Sequence, residues 1–133
     1  MLYYIKSVSN SDLKNKLSNL AFEVTQKKGT EPPFSGEYNN FFLNGKYLCV
    51  CCNSTLFDSK HKFKSKSGWP SFFKPSNETC IKYIEDTSYN MIRVEVCCKK
   101  CNSHLGHVFD DGPEPTFKRY CINSVSIKFV ENE

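Results

Sequence analysis

Met91-Ile92-Arg93-Val94-Glu95-Val96-Cys97-Cys98-Lys99-Lys100-Cys101 couples two signals in one short run. Its first half alternates, so Ile92, Val94 and Val96 share one face of an extended strand. Its second half is C-x2-C, a spacing at which two thiolates grip one ion from a tight turn. Upstream, Cys49-Val50-Cys51-Cys52 repeats that spacing after another apolar run. Cys49, Cys52, Cys98 and Cys101 together offer four soft ligands, the set expected for tetrahedral Zn2+. Cys51 and Cys97 open other registers, C-x-C and C-x3-C, but the matched spacing favours the first set. Four ligands close the coordination sphere, so this zinc is expected to be structural. The alternatives are redox-active dithiols or buried small hydrophobes.

Outward from these pairs the chain reads as short strands. Ile81 to Glu85 and Met91 to Val96 flank polar turn residues and predict a hairpin. Asn44-Gly45 lies between Phe41-Phe42-Leu43 and Lys46-Tyr47-Leu48 and predicts a second. Val96 to Tyr120 reads as turn-rich, with Gly106, Gly112, Pro113 and Pro115. From Tyr120 to Phe129 the pattern alternates: Cys121, Asn123, Val125, Ile127 and Phe129 point to one side. Leu13, Leu17 and Leu20 predict an amphipathic helix over Asp12 to Gln26, with N-cap chemistry in Ser9-Asn10-Ser11-Asp12 and a stop at Gly29. The fold class expected is mainly β, antiparallel, with an N-terminal helix and a zinc knuckle pair.

The chain has 133 residues and a net charge of +4. That length predicts one domain, residues 1–133, with a helical extension over 1–28. No run approaches the ~20 apolar residues that span a bilayer, so no membrane association is expected. Met1-Leu2-Tyr3-Tyr4-Ile5-Lys6 lacks the basic leader and apolar run of a secretory signal. The thiols therefore point to a reducing compartment, the cytoplasm, or an organelle if a presequence is missing. The charge permits weak attraction to acidic partners without requiring nucleic acid. Lys60, Lys62, Lys64 and Lys66 are read as a solvated edge or loop.

Among the other thiols, Cys121 has the most informative surroundings, Lys118-Arg119-Tyr120-Cys121-Ile122-Asn123-Ser124. Nearby cations lower a thiol pKa and raise the thiolate fraction. Asn123 on the same face can hold a polar atom near the sulfur. A buried strand cysteine is the competing reading, and this segment alone does not choose. His104-Leu105-Gly106-His107 places two histidines where they can supply protons or hydrogen bonds, unless both are satisfied core residues. Ser67-Gly68-Trp69-Pro70-Ser71-Phe72-Phe73 offers an aromatic wall for a sulfur-bound methyl group, or simply core.

Taken in order, these blocks resemble the methionine-R-sulfoxide reductase B family over about Gly29 to Phe129. The matching segments are Gly29-Thr30-Glu31-Pro32-Pro33-Phe34-Ser35-Gly36, the two knuckles, Gly68-Trp69-Pro70-Ser71-Phe72, His104-Leu105-Gly106-His107-Val108-Phe109, Asp111-Gly112-Pro113 and Arg119-Tyr120-Cys121-Ile122-Asn123-Ser124. The resemblance implies two small antiparallel sheets in a β-tent-like arrangement, with a catalytic core over 29–130 and a structural zinc. It implies that the Cys121 thiolate attacks the sulfoxide sulfur. His104, His107 and water then act on the oxygen, Asn123 orders the site, Trp69 holds the methyl group and Arg119 favours the thiolate. Cys121 would become a sulfenic acid, regenerated by thioredoxin or another thiol. The implied substrates are proteins carrying methionine-R-sulfoxide, and the implied state is a monomer.

Three positions depart from the family pattern. Ser67 stands where many relatives carry a second, resolving cysteine, which leaves Cys80, Cys51 and Cys97 as weak candidates for that role. Phe117 replaces a usual glycine, and a bulky residue there is expected to forgo glycine's backbone shapes and reshape the site mouth. Lys66 replaces a common glycine. Two other functions compete. A zinc-ribbon binding module fits the knuckles and the basic charge but leaves Cys121, Asn123, Trp69 and the histidines unused. A zinc hydrolase or deaminase needs an open metal position and a general base, and the His-x-Glu partner of the deaminases is missing.

Overall fold

The structure, a computed structural model, describes residues 10–132. Two helices, α1 (Asn10–Lys16) and α2 (Asn19–Lys27), precede nine strands. These are β1 (Gly45–Cys49), β2 (Thr55–Asp58), β3 (Lys62–Phe63), β4 (Ser71–Phe72) and β5 (Ile81–Asp86), then β6 (Arg93–Cys98), β7 (His104–Phe109), β8 (Arg119–Ile122) and β9 (Ile127–Glu131). They form two antiparallel sheets, a three-stranded one ordered β2-β1-β9 and a six-stranded one ordered β3-β4-β8-β7-β6-β5. The mainly β class with two antiparallel sheets is the one the sequence implied.

Aromatic rings fill the space between the sheets. Tyr47 from β1 meets Phe72 from β4 edge-on at 5.2 Å, and Phe57 from β2 stacks on Phe72 at 4.4 Å. All three rings are buried. Ring pairs in these geometries add roughly 0.5–1.5 kcal/mol beyond the area they bury.

Local signals and long-range pairing disagree at several places. The single helix over 12–26 is two. Ser18 takes an extended conformation and its Oγ accepts from Ala21 N at 3.1 Å, starting a new helix. The left-handed residue after α2 is Lys28, not Gly29. Ser9 of the expected cap lies outside the described residues. The Asn44-Gly45 hairpin does not form. Residues 41–43 are not strand, and Gly45 instead begins β1, which pairs with β9. A Cβ at Gly45 would strike the Val130 carbonyl and the Phe129 ring, so the glycine serves close strand approach rather than a turn.

The stretch read as turns contains β7, and the strand expected from Tyr120 to Phe129 is broken. It pairs in the larger sheet as β8, crosses through a 3-10 turn at Ser124–Ser126, and joins the smaller sheet as β9. The β5–β6 hairpin forms as expected. Its apolar face leaves the core along its length, from Val96 at 0% exposure to Ile92 at 83%. Lys62 is buried rather than solvated. Its Nζ lies 3.9 Å from the Phe42 ring centroid, and burial pushes its pKa down to about 8.

Candidate active site

The four paired cysteines converge between the sheets. Cys49 ends β1 and Cys98 ends β6, so each knuckle follows a strand of a different sheet. The two turns are built alike. Asn53 N and Asn102 N return to the carbonyls of Cys49 and Cys98 at 2.9 and 2.8 Å, with both asparagines left-handed. The Sγ atoms lie within 4.8 Å of one another, with Cys49–Cys101 and Cys52–Cys98 each at 3.6 Å. A tetrahedral zinc with ~2.3 Å bonds needs sulfurs about 3.8 Å apart, so the donor set fits such an ion. Cys51 and Cys97 are not in this set. Cys51 Sγ accepts from Gln26 Nε2 at 3.5 Å, and Cys97 Sγ points to Glu95 Oε2 at 3.2 Å.

On the larger sheet, register brings the remaining site residues together. Cys121 in β8 lies directly opposite His107 in β7. Directly opposed residues share a face, with Cβ atoms roughly 5 Å apart. Both line a cavity of about 280 Å³ together with Trp69, Arg119, Asn123 and Ser67. Trp69 is held by its Nε1, which donates to the Glu31 carbonyl at 3.0 Å. Glu31 N in turn donates to Asn123 Oδ1 at 2.9 Å, while Asn123 Nδ2 donates to the Leu105 carbonyl at 3.0 Å. Asn123 thus ties the cavity wall to β7 with both ends of its amide.

The sulfur's environment pulls both ways. Burial pushes the Cys121 thiol above its ordinary range. Arg119, by charge and hydrogen bond, and the Ser67 hydroxyl pull it down, and the charge of Glu31 adds to the rise. The net direction is upward, which corrects the expectation that neighbouring cations leave a depressed thiol. Arg119 is clamped by Asp111, at 2.9 and 3.2 Å, and its guanidinium carbon stacks 4.6 Å from the Phe109 ring centroid.

The two histidines sit differently. His107 lines the cavity, and its Nε2 meets Asp86 Oδ2 at 2.7 Å. His104 is buried behind it, ring centroids 5.6 Å apart, with Nδ1 on Glu95 Oε2 at 2.7 Å. Burial holds His104 below the ordinary imidazole range against the pull of Glu95. Burial also raises Glu95, but donors on Cys97, His104 and Lys28 more than reverse this, so the carboxylate is ionised and accepts from His104.

Asp86, Glu95 and Glu31 were missed from the sequence. A charged Glu95 between Val94 and Val96 was a visible signal. Asp86-Thr87-Ser88 was another, since its side chain caps the hairpin turn by accepting from Ser88 N at 3.0 Å. Glu31 before two prolines gave none. Phe117 overturns its expectation. It adopts φ +60, the left-handed shape glycine would take, and is exposed away from the cavity lining. Of the candidate resolving cysteines, Cys80, Cys51 and Cys97, none lines the cavity.

Residues 17–131 match the SelR domain. The chain belongs to the methionine sulfoxide reductase B family. Relatives within this family include the peptide methionine sulfoxide reductase MsrB of Thioalkalivibrio sulfidiphilus, 51% identical over 122 residues, covering 92% of this chain and 89% of that protein. The protein of the same name from Escherichia coli O139:H28 is 49% identical over 125 residues, covering 94% and 91%. The span matched to the methionine sulfoxide reductase B family takes in both the paired cysteines and the residues that line the cavity around Cys121. Among the described residues no helix is long and apolar enough to cross a membrane.

Proposed function

We propose that this chain reduces methionine-R-sulfoxide, free or in proteins, with Cys121 as nucleophile. The observation that carries the reading is Cys121 placed opposite His107 in a cavity walled by Trp69. The Trp69 ring takes the sulfur-bound methyl group, an apolar contact favourable to sulfur. Arg119 stabilises the thiolate and Asn123 keeps the wall in register. The thiolate attacks the sulfoxide sulfur while a proton passes to the departing oxygen. The oxygen ends on Cys121 as a sulfenic acid and methionine leaves reduced, the repair of one sulfoxide epimer. His107 delivers the proton, and His104 supports it from behind with water between them and the substrate. A first external thiol then condenses with the sulfenic acid, releasing water and leaving a mixed disulfide. A second thiol frees Cys121 and departs as the oxidised disulfide. Thioredoxin or a small thiol fills this role.

Cys49, Cys52, Cys98 and Cys101 would hold a structural zinc that joins the two sheets and takes no part in the reaction. The chain is proposed to act as a monomer, and its reactive thiol suits a reducing compartment such as the cytoplasm. The test is reduction of dabsyl-methionine-R-sulfoxide with dithiothreitol. Wild type is expected to turn over and Cys121→Ser to be inactive while keeping its melting temperature. An inactive wild type, or an active Cys121→Ser, would overturn the assignment.

A further inference from the structure

The carboxylate of Asp86 is not absorbed by that scheme. It sits at the end of β5, three strands from that of Cys121, yet its Oδ2 accepts from His107 Nε2 at 2.7 Å. The same oxygen takes Arg93 Nη2 at 3.2 Å, and Oδ1 takes Ser88 N at 3.0 Å and Ser88 Oγ at 2.7 Å. A carboxylate held by this many donors stays ionised and does not rotate away. Its pKa lies well below the usual range, first through the Ser88 backbone N–H and then through His107. An ionised Asp86 accepts only, so His107 must carry its proton on Nε2, which leaves Nδ1 to serve the cavity.

We propose that Asp86 is a positioning residue for the reaction, forming with His107 and Cys121 a carboxylate–imidazole–thiol relay; this rests on the reading of Cys121 as the nucleophile of sulfoxide reduction. The three groups have the layout of an activated nucleophile: an imidazole directly opposite the thiol on the neighbouring strand, lining the same cavity and oriented by a carboxylate. In the relay, Nδ1 takes the proton from the Cys121 thiol, giving a thiolate and an imidazolium whose Nε2 remains on Asp86. The thiolate attacks the sulfoxide sulfur, and Nδ1 returns that same proton to the oxygen as it moves to Cys121. One proton makes the round trip, so no outside acid is consumed and the ring ends neutral. This also accounts for a nucleophile whose burial favours the thiol. The proton it keeps at rest is the one the oxygen needs. Arg93 and Ser88 fix Asp86 from behind, so the relay extends into the β5–β6 hairpin.

The experiment uses the full zinc-loaded chain and N-acetylmethionine-R-sulfoxide, with methionine release followed over a single turnover. Asp86→Asn is isosteric but offers an N–H where the ring needs an acceptor. Its single-turnover rate is expected to fall about 10- to 100-fold, in the range of lost acid–base assistance. Its half-saturating substrate concentration should move less than about twofold, as for an interaction made only in the transition state. Asp86→Glu keeps an acceptor and is expected to recover part of the rate. Nitrogen-15 NMR of the wild type should show His107 in the Nε2–H form, and Asp86→Asn should switch it to Nδ1–H. A wild-type rate in Asp86→Asn overturns the proposal, as does an Nδ1–H tautomer in the wild type. So does an equal loss in both variants with the tautomer unmoved. Should Asp86→Asn fail to fold, the wild-type tautomer and Asp86→Glu still decide. A wild type that releases no methionine sinks the reductase reading instead, and the tautomer then tests the Asp86–His107 pairing alone.

Discussion

At the knuckles, sulfur meets sulfur: Cys49 and Cys101, and Cys52 and Cys98, stand 3.6 Å apart, and the four atoms crowd one point between the sheets. In the cavity, Cys121 instead shares its walls with a guanidinium, a hydroxyl and, on the facing strand, an imidazole. The side chain is the same, and its neighbours set its chemistry. A cage of thiols is complementary to a soft cation and spends all its lone pairs on it. A single thiol among nitrogen and oxygen donors has its lone pairs left for a substrate. The difference comes from topology, because knuckles join the ends of strands from two sheets, whereas the cavity sets loop residues such as Trp69 against strands β7 and β8 of the larger sheet.

The comparison breaks most visibly if the cage is emptied. Metal in such sites contributes roughly 10–16 kcal/mol of apparent binding energy, which is folding energy when the site exists only in the folded state. Chelation, or Cys98→Ser, is therefore expected to unfold the chain, read by circular dichroism on heating. A melting temperature unmoved by exhaustive chelation would mean the knuckles hold the sheets without an ion.

Gly106 lies between the two histidines, and a Cβ there would strike the Cys121 carbonyl. Gly106→Ala is expected to cost about 1–3 kcal/mol, the usual penalty for forced crowding. It should push β7 from β8 and depress Cys121 reactivity while leaving metal content intact. An equal loss of metal would show that the two regions are coupled rather than separate.

The smallest effect expected is electrostatic. Since the net shift on Cys121 is upward, its alkylation by iodoacetamide should accelerate with pH up to and beyond the ordinary thiol value near about 8.5. Arg119→Ala removes a downward pull, so the profile should move to still higher pH, slowing alkylation about two- to tenfold at pH 8. A profile shifted the other way would show that Arg119 does not act on the sulfur.

Several of these features were legible in the sequence because they are local. The C-x2-C spacing needs only a turn, and the β5–β6 hairpin needs only two neighbouring strands. Trp69, His107, Arg119, Cys121 and Asn123 were each recognisable, and the structure brings all five to one cavity. What escaped depends on register. Asp86 and His107 meet only because β6 lies between their strands, and no periodicity announces that. Asn44-Gly45 carries the chemistry of a tight turn, but β9 arrives alongside and recruits Gly45 into a strand instead. The run from Tyr120 to Phe129 alternates faithfully, yet it serves two sheets. The crossing is fixed by distant partners: Ser126 Oγ donates to the His104 carbonyl at 3.0 Å.

Ser67, which lines the cavity with Cys121, has one remaining implication. Among the described residues no second sulfur lines the cavity. Under the proposed cycle the oxidised form therefore has no built-in partner, and its lifetime is set by collisions with molecules from solution. An in-cavity thiol would close the cycle at high effective concentration, independent of supply. Under that cycle the chain would instead couple its throughput to the ambient thiol pool, and repair would slow in proportion as that pool is depleted.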